Sequence, residues 1–162
     1  MEIKTQSASA VFDLLIHGSV RCPVRLMTHG SGKTPLSHLG VSLWLKTFFS
    51  FIKLVGPESE YHPDAMEHFR SLCDGRKLIA NIDYKEGNLR HLRLLDAHEH
   101  GSDPLASINV DLLRAGHATI DRKGCKYLHS YPHVLKRMQE AVQEAKKTRS
   151  GIFEFGDVEE DD

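Results

Sequence analysis

Basic and aromatic side chains are interspersed through the second half of the chain in a way that could bind a polyanion. The cations are Lys77, Arg90, Arg93, Arg122, Lys123 and Lys126, and Tyr127 and Tyr131 lie close to the last of them. Cations in such numbers can follow a nucleic-acid backbone, and aromatic rings can stack on its bases. The same pattern is typical of a sheet rim that packs on a helix. We expect Tyr131 to pack in this way, and both interpretations stay open for Tyr127.

Two other local patterns are similar to chemical motifs, and we expect neither to act. The stretch "GSGKT" (Gly30–Thr34) is similar to a phosphate-binding loop, but that motif requires a glycine five residues before Gly32, where Met27 stands. The stretch "HEH" (His98–His100) offers two histidines without a third partner. Histidines so close together are usually surface residues, so we predict no metal site there.

Composition places the chain among ordinary globular domains. Its 162 residues are 40% hydrophobic and 27% charged, which is enough for one domain with a core of its own. Cys22, Cys73 and Cys125 lie far apart without a CxxC pair, so we expect neither a disulfide framework nor a zinc site, and a reducing compartment fits. The longest apolar run (Val41–Val55) contains two lysines and is shorter than the roughly 20 residues of a membrane-spanning helix. The first residues do not resemble a secretory signal.

The net charge of −1 hides an uneven distribution. Residues 114 to 149 contain nine lysines and arginines against three acids, whereas residues 150 to 162 contain six acids and no base. A basic stretch could attract phosphate, and it could equally be a solvated helix face beside a solubilising acidic tail. Charge alone does not decide between these two interpretations.

Hydrophobic periodicity after residue 50 predicts alternating short strands and helices. Before residue 50 the sequence suggests only possible strands at Ala10–Ile16 and Pro23–Met27. The later elements are expected to be a strand at Phe51–Val55, a helix from Pro63 to Gly75, a hairpin of Lys77–Tyr84 and Leu89–Asp96 around the turn Lys85–Asn88, a helix at Ser107–Gly116, a strand at His117–Asp121, and a helix that starts near Pro132 and ends before Gly151. This order predicts an α+β domain in which helices pack on a small antiparallel sheet.

Several stretches resemble a known fold. "SINVDLLRAGHATI" and "VLKRMQEAVQEAKKTRSGIFEFGD" are similar to the C-terminal half of the staphylococcal-nuclease-like fold, in which a short helix leads into a barrel strand and a last helix packs on the barrel. "SGIFEFGDVEEDD" and "SFIKLVGPESEYHPDAMEHFRSLCDGRKLIANIDY" resemble the end of Tudor-SN proteins, a multidomain eukaryotic family with nuclease-like repeats and one Tudor domain. The resemblance covers Ser50 to Asp162, and the order and spacing of the stretches carry it.

The resemblance implies a fold and a division of the chain. The fold is a small five-stranded β-barrel of the OB-fold type with packed helices. The helix Ser107–Gly116 would then be architectural, because it crosses one end of the barrel and its glycine lets the chain turn into the next strand. Residues 51–156 form the nuclease-like domain and residues 157–162 an acidic tail. Residues 1–50 match nothing recognisable and would have to supply substitute strands, without which the barrel is incomplete.

The same resemblance implies a catalytic site that this sequence matches only in part. In active members carboxylates hold a calcium ion and two arginines neutralise charge on the phosphate. The first arginine lies in a motif R-L-x-x-[VI]-D-x-P-E; here Arg25 and Leu26 are followed by Thr28, His29 and Gly30 where an acid should stand. Arg90, at the start of a strand, matches the second arginine. We therefore expect Arg90 to be the catalytic candidate, or else a solvent-facing strand residue.

Three functions remain open on these grounds. The one we favour, by resemblance, is an RNA-binding or protein-interaction module that has lost catalysis. The resemblance implies that it acts in cytoplasmic and nuclear RNA metabolism, including small-RNA silencing. The expected partners are single-stranded RNA and silencing-complex proteins, and no membrane. The second is a calcium-dependent nuclease whose acids are Asp13, Asp83 or Asp96. The third is a structural fragment that folds only with the rest of a larger protein.

Overall fold

The structure is a computed structural model that describes residues 2–4, 13–15, 19–24, 43–76, 78–99 and 102–156. Side chains are described from Thr47 onward, except that of Cys125. Arg25, Lys77, the Gly30–Thr34 stretch and the acidic tail at 157–162 lie outside the described residues.

The described elements are β1 (Glu2–Lys4), β2 (Asp13–Leu15), β3 (Ser19–Val24), β4 (Leu43–Phe49), β5 (Ile52–Leu54), α1 (His62–Cys73), β6 (Leu78–Glu86), β7 (Leu89–Asp96), α2 (Ile108–Arg114), β8 (Ala118–Ile120), α3 (Cys125–Leu128), α4 (Pro132–Thr148) and a 3₁₀ turn (Gly151–Phe153). After residue 50 they follow the predicted order, with two additions, since the short helix α3 and the 3₁₀ turn were not predicted. Before residue 50 the expected strand at Ala10–Ile16 contains β2, whereas the one at Pro23–Met27 overlaps only the last two residues of β3.

The strands form a mixed sheet, which corrects the expectation of a purely antiparallel one. The six-stranded sheet has the order β1-β6-β7-β4-β3-β2, and β5 pairs separately with β8. Neighbours are antiparallel except β4 and β7, which run parallel because the chain crosses over through α1 and β6 between them. The α+β class is therefore confirmed. The described parts of β1 and β2 do not pair with each other, so the sheet is not closed into a barrel among the described residues.

Phe51 separates β4 from β5, the strand that was predicted at Phe51–Val55. Its φ is 67°, in the left-handed region that bulky residues rarely adopt, yet its side chain is fully buried. Two backbone bonds hold this corner: Ser50 N–H donates to the Leu92 carbonyl at 2.8 Å, and Asp121 N–H donates to the Phe51 carbonyl at 2.8 Å. The corner sends the chain from the large sheet into the small one, which β5 forms with β8.

The helix α2 is confirmed where the sequence places it, and its role goes beyond its apolar face. Ser107 caps it by accepting a hydrogen bond from the Val110 N–H at 3.3 Å. Asn109 is fully buried and bridges three strand groups: its amide oxygen accepts from Leu94 N–H at 3.1 Å, and its amide nitrogen donates to the Ser50 and Leu92 carbonyls at 3.1 and 3.2 Å. The short helix thus satisfies backbone groups at the β4–β7 junction.

One apolar core joins the helices to the sheet. From α4 it takes Val134, Met138 and Ala141, all buried, and Leu135 and Val142 are partly buried against them. The aromatic part of this core includes Phe51, Tyr84 and Tyr131, with the Tyr131 ring 6.0 Å from that of Phe51. Tyr131 therefore packs, as its position predicted. No helix among the described residues is long and apolar enough to cross a membrane.

His117, just before β8, makes the stability of this core sensitive to acid. Burial lowers the pKa of its imidazole, His68 lowers it further through charge repulsion, and Asp64 opposes both. The unfolded chain protonates this residue near pH 6.5 whereas the folded chain resists protonation. We therefore expect the free energy of unfolding to be constant above that pH and to fall as the pH drops below it towards the lower pKa of the folded state.

The measurement is urea denaturation at pH 7.5 and pH 5.5 for the native sequence and for His117→Phe. The loss of stability between the two pH values should be smaller in the variant. His133→Phe, on the exposed first turn of α4, is the control. An equal acid-dependent loss in His117→Phe and the native sequence would contradict the assignment to His117.

Candidate functional site

Four aromatic rings form a continuous row across the sheet. Phe48 on β4, His91 on β7 and Tyr84 on β6 are cross-strand neighbours, and Tyr127 of α3 continues the series. Ring centroids are 5.7 Å apart for Phe48 and His91, 4.2 Å for His91 and Tyr84, and 4.1 Å for Tyr84 and Tyr127, with interplanar angles of 24°, 12° and 17°. We call these four residues the aromatic row. Its outermost ring, Tyr127, is only partly buried.

Charged groups surround the Tyr127 end of the aromatic row. The Lys126 ammonium lies 4.8 Å from the Tyr127 ring centroid and 2.9 Å from Glu86 Oε1, which also accepts from the Tyr127 hydroxyl at 3.2 Å. The hydrogen bond from Lys126 lowers the pKa of Glu86, and the same bond raises the pKa of Lys126. Desolvation, followed by the charge of Asp121, raises the pKa of Tyr84, so its phenol stays neutral. The end of the row therefore carries an ion pair over a stacked pair of tyrosines.

A pocket of about 390 Å³ opens beside the other half of the aromatic row. Its lining is mostly apolar, with a few polar groups. The lining residues are Phe48, Phe49, Ile52, Lys53, Leu54, Gly56, Pro57, Glu58, His91 and Asp121. Both ring nitrogens of His91 are buried, and neither has a hydrogen-bond partner among the described residues. The pocket thus combines apolar walls with an unsatisfied imidazole.

Arg90 and Lys85 lie on the opposite face of the hairpin from His91. The two are directly across from each other, and Arg90 is also opposite Thr47 on the parallel strand β4. Side chains that face each other across a strand pair lie on one face of the sheet, whereas successive residues alternate. Arg90 is half-buried and Lys85 is exposed. The candidate catalytic arginine is therefore next to a second cation and opposite a threonine.

Arg93 is part of a buried ion pair and is separate from the surface cations. Its guanidinium forms three hydrogen bonds of 2.9–3.0 Å with the carboxylate of Asp83, which is 0% exposed. The same carboxylate accepts from the Asn81 amide at 2.8 Å and from the Ser50 hydroxyl. A register shift between Ile82 and Tyr84 turns Asp83 towards Arg93. The structure therefore places Arg93 inside the sheet, with its guanidinium 5.8 Å from the Tyr131 ring.

The remaining predicted cations lie around the turn that follows β8. Arg122 and Lys123 are exposed, and the turn is held by Asp121, whose carboxylate accepts from the backbone N–H groups of Lys123 at 3.0 Å and Gly124 at 3.1 Å. Lys126 follows within one helical turn. The structure thus brings Lys123, Lys126 and Tyr127 to one end of the aromatic row.

The described carboxylates do not fit a calcium ion. Both oxygens of Asp83 are taken by Arg93 and its neighbours, and Asp96 instead pairs with Arg76 at 3.2 Å and accepts from the His98 N–H at 2.8 Å. The side chain of Asp13 lies outside the described residues. No three His, Cys, Asp or Glu side chains among the described residues are placed to hold a metal ion. Calcium needs six to eight oxygen ligands, so we derive no calcium-dependent step.

The sequence did not identify Phe48, Tyr84, His91 or Glu86 as members of one site. Tyr84 lies in the first predicted hairpin strand (Lys77–Tyr84) and His91 in the second (Leu89–Asp96), and neither was predicted to be a site residue. An aromatic residue on each of two predicted hairpin strands was the available signal. These two aromatic residues can be recognised as neighbours only when the pairing of β6 with β7 is known. The register shift at Asp83 decides which residues of the two strands face each other.

Comparison with known proteins finds a similar curated protein. Over 109 residues the chain is 32% identical to Staphylococcal nuclease domain-containing protein 1 of Schizosaccharomyces pombe. The matched stretch is 67% of this chain and 12% of that relative. No protein-family model matches the chain. The chain thus corresponds to a small part of a much longer protein.

Proposed function

Because the chain contains a staphylococcal-nuclease-like domain, we propose that it binds single-stranded RNA through the aromatic row and the cations around it, without cleaving the RNA. The observation that carries the proposal is the exposed Lys126 ammonium over the Tyr127 ring, at the end of four rings in mutual contact. A base can stack on Tyr127 when Lys126 moves from the ring to a phosphate. Single-stranded nucleic acid is typically bound by this combination of aromatic platform and mobile cation.

Phosphate contacts come from cations on both sides of the aromatic row. Lys123 and Lys126 lie at the Tyr127 end, with Arg122 beside them, and Lys85 with Arg90 lies on the other face of the same hairpin. A strand of RNA that passes around the hairpin would meet both groups. We leave Arg93 out of this set because its charge is satisfied by Asp83 in the interior. For Lys77 the proposal rests on sequence alone.

The absence of catalysis is proposed from the surroundings of Arg90. Cleavage with two arginines requires a second guanidinium close to the first, and the residue opposite Arg90 on the neighbouring strand β4 is Thr47. The described carboxylates near the hairpin are engaged in ion pairs or turns. The alternative function is a calcium-dependent nuclease. It predicts cleavage of RNA in calcium that is lost in chelator.

We propose further that residues 1–50 complete a five-stranded barrel. β1 and β2 are consecutive in the chain and occupy the two ends of the six-stranded order, where β1 pairs with β6 and β2 with β3. Bringing these two ends of the sheet together would close it into a barrel. Action in cytoplasmic and nuclear RNA metabolism, with silencing-complex proteins as partners, rests on the family resemblance.

A gel-shift experiment with labelled single-stranded RNA tests both parts of the proposal. We expect a shift that weakens with salt, and intact RNA in calcium as in chelator. Tyr127→Ala should weaken binding by about 1–3 kcal/mol, the usual contribution of one stacked base. Lys123→Glu should reduce the slope of log affinity against log salt by about 0.7 for each lost phosphate contact.

The matched control is Lys136→Glu, on the exposed face of α4 beside Glu140 and away from the aromatic row. Its affinity for RNA should remain within about twofold of that of the native chain, since one surface charge far from the aromatic row contributes little. Cleavage that requires calcium and is lost in Arg90→Ala would overturn the non-catalytic assignment. Absence of any shift at low salt would overturn RNA binding itself.

A further inference from the structure

Glu86, the last residue of β6, holds both residues at the exposed end of the aromatic row. One oxygen of its carboxylate, Oε1, accepts from the Lys126 ammonium at 2.9 Å and from the Tyr127 hydroxyl at 3.2 Å. The other oxygen, Oε2, is 3.8 Å from His91 Nε2, beyond hydrogen-bond distance. The side chains of Glu86 and Lys126 are 42% and 61% exposed, so a ligand in solution can reach both of them.

The pair of Glu86 and Lys126 lies where a base would have to stack. Tyr84 fills one face of the Tyr127 ring, at a centroid distance of 4.1 Å, so a base has only the other face to stack on. The Lys126 ammonium lies over the ring, 4.8 Å from its centroid, and Glu86 keeps it there. Stacking on Tyr127 therefore requires that Lys126 leaves the ring, and the bond to Glu86 opposes this movement.

The bond between Glu86 and Lys126 keeps both groups charged. The hydrogen bond from Lys126 is the main cause that lowers the pKa of Glu86, and the same bond is the main cause that raises the pKa of Lys126. At neutral pH a carboxylate therefore occupies the ammonium that an RNA phosphate would use. Carboxylate and phosphate oxygens are both charged acceptors for an ammonium group, so the two compete directly for Lys126.

We infer that Glu86 competes with RNA phosphate for Lys126 and keeps the stacking face of Tyr127 closed, so that the site admits a base only together with a neighbouring phosphate. This inference rests on the proposed RNA binding and names the chemical unit that its aromatic platform takes. A phosphate draws Lys126 away from Glu86 and uncovers the ring for the base beside it. A nucleoside has no charge to offer to Lys126, so the ring stays covered.

Glu86→Gln tests the competition with labelled oligo(U) in a gel shift. Glutamine keeps the shape of the side chain and an oxygen acceptor but lacks the charge, so it releases Lys126 more easily. We expect the variant to bind oligo(U) about three- to fivefold more tightly than the native chain, the upper end of what an exposed ion pair contributes. Equal or weaker binding by Glu86→Gln would overturn the inference.

Glu140→Gln is the matched control for net charge. It removes the same charge from another exposed lysine–glutamate pair, that of Lys136 and Glu140 on α4. Its affinity for oligo(U) should differ from that of the native chain by less than about 1.5-fold, because screening weakens the effect of a distant surface charge. A gain as large as that of Glu86→Gln would assign the effect to net charge and overturn the role of Glu86.

A double-mutant cycle with Lys126→Met separates competition from repulsion of the RNA by Glu86. If Glu86 acts by holding Lys126, the gain from Glu86→Gln should be smaller in the Lys126→Met background than in the native chain, because the group that is competed for is gone. If Glu86 only repels phosphate, its charge is no longer paired in that background, and the gain should be equal or larger. The second result would overturn the inference.

The requirement for a phosphate is tested with uridine and uridine 5′-monophosphate, while the ring proton signals of Tyr127 are followed by NMR. In the native chain we expect the nucleotide to shift these signals at concentrations at which uridine does not. Uridine should shift them in Glu86→Gln, because Lys126 then uncovers the ring without a phosphate. Equal responses of the native chain to both compounds, or no response of Glu86→Gln to uridine, would overturn the requirement.

Failure of the inference can be distinguished from failure of the proposed function. If oligo(U) shifts the native chain with the expected salt dependence but Glu86→Gln binds no more tightly, Glu86 is not a competitor and RNA binding stands. If neither the native chain nor Glu86→Gln shifts oligo(U) at low salt, and the Tyr127 signals respond to neither compound, RNA binding is wrong and the inference falls with it.

Discussion

Asp83→Ala is expected to lower the free energy of unfolding by about 3–5 kcal/mol, the usual cost of removing one partner of a buried ion pair. The carboxylate is 0% exposed, and the variant leaves the Arg93 guanidinium, whose side chain is 9% exposed, without its counter-charge. The Ser50 hydroxyl and the Asn81 amide lose their acceptor in the same step. Because the pair joins β6 to β7 beside the corner at Ser50, the loss acts on the core of the sheet. Chemical denaturation at pH 7.5 measures the change.

A double-mutant cycle shows whether the ion pair itself is responsible. Arg93→Met alone should also destabilise strongly, since it strands the Asp83 charge, whereas the double variant Asp83→Ala with Arg93→Met should lose less than the sum of the two single variants. Glu140→Gln in the exposed Lys136–Glu140 pair is the control and should change stability by less than about 1 kcal/mol. Additive losses in the cycle, or an Asp83→Ala variant as stable as the control, would contradict the assignment.

The sequence predicted most of the second half of the fold because its elements are locally specified. The helix α2 has its cap, its apolar face and its terminal glycine within ten residues, and the hairpin of β6 and β7 has apolar alternation on its first strand and a Gly-Asn turn after it. Period and end signals of this kind can be read without tertiary contacts. The class, α+β, followed from the order of these elements.

The parallel pair of β4 and β7 could not be predicted in the same way. The run Val41–Val55 reads as one apolar segment, and its division at Phe51 depends on a left-handed backbone that no local signal encodes. That conformation persists because burial of the ring and two long-range backbone bonds hold it. The pairing of Thr47 with Arg90, which bears on catalysis, follows from this long-range geometry.

The candidate site was predicted as a list of cations, and the structure divides that list. Arg93 looks like Arg90 in sequence, yet it alternates to the other face of β7 and meets Asp83. Charge and spacing cannot reveal a buried partner ten residues away when a register shift lies between the two residues. The aromatic row was missed for a related reason, because its four members come from four separate elements and meet only through strand register.

Gly116→Ala is expected to destabilise the chain by about 3–5 kcal/mol, because a methyl group there meets both backbone strain and a close crossing. Gly116 follows α2 with a φ of 72°, and an added Cβ would lie 2.1 Å from the Ser150 carbonyl oxygen. The crossing is reciprocal, since a Cβ on Gly151 would lie 2.3 Å from the Gly116 oxygen, to which Ile152 N–H donates at 3.0 Å. The end of α2 is thereby fixed to the end of α4.

Gly75→Ala shows how much of the expected loss of stability comes from backbone strain and how much from the close crossing. Gly75 ends α1 with a similar φ of 67°, and nothing lies within 4 Å of the position that its Cβ would take. This variant should therefore show the backbone strain alone, about 1–2 kcal/mol. Denaturation of both variants in urea gives the difference that belongs to the crossing. If the two variants lose the same stability, the contact between residues 116 and 150 does not constrain the fold, and the terminal glycine of α2 serves only to turn the chain.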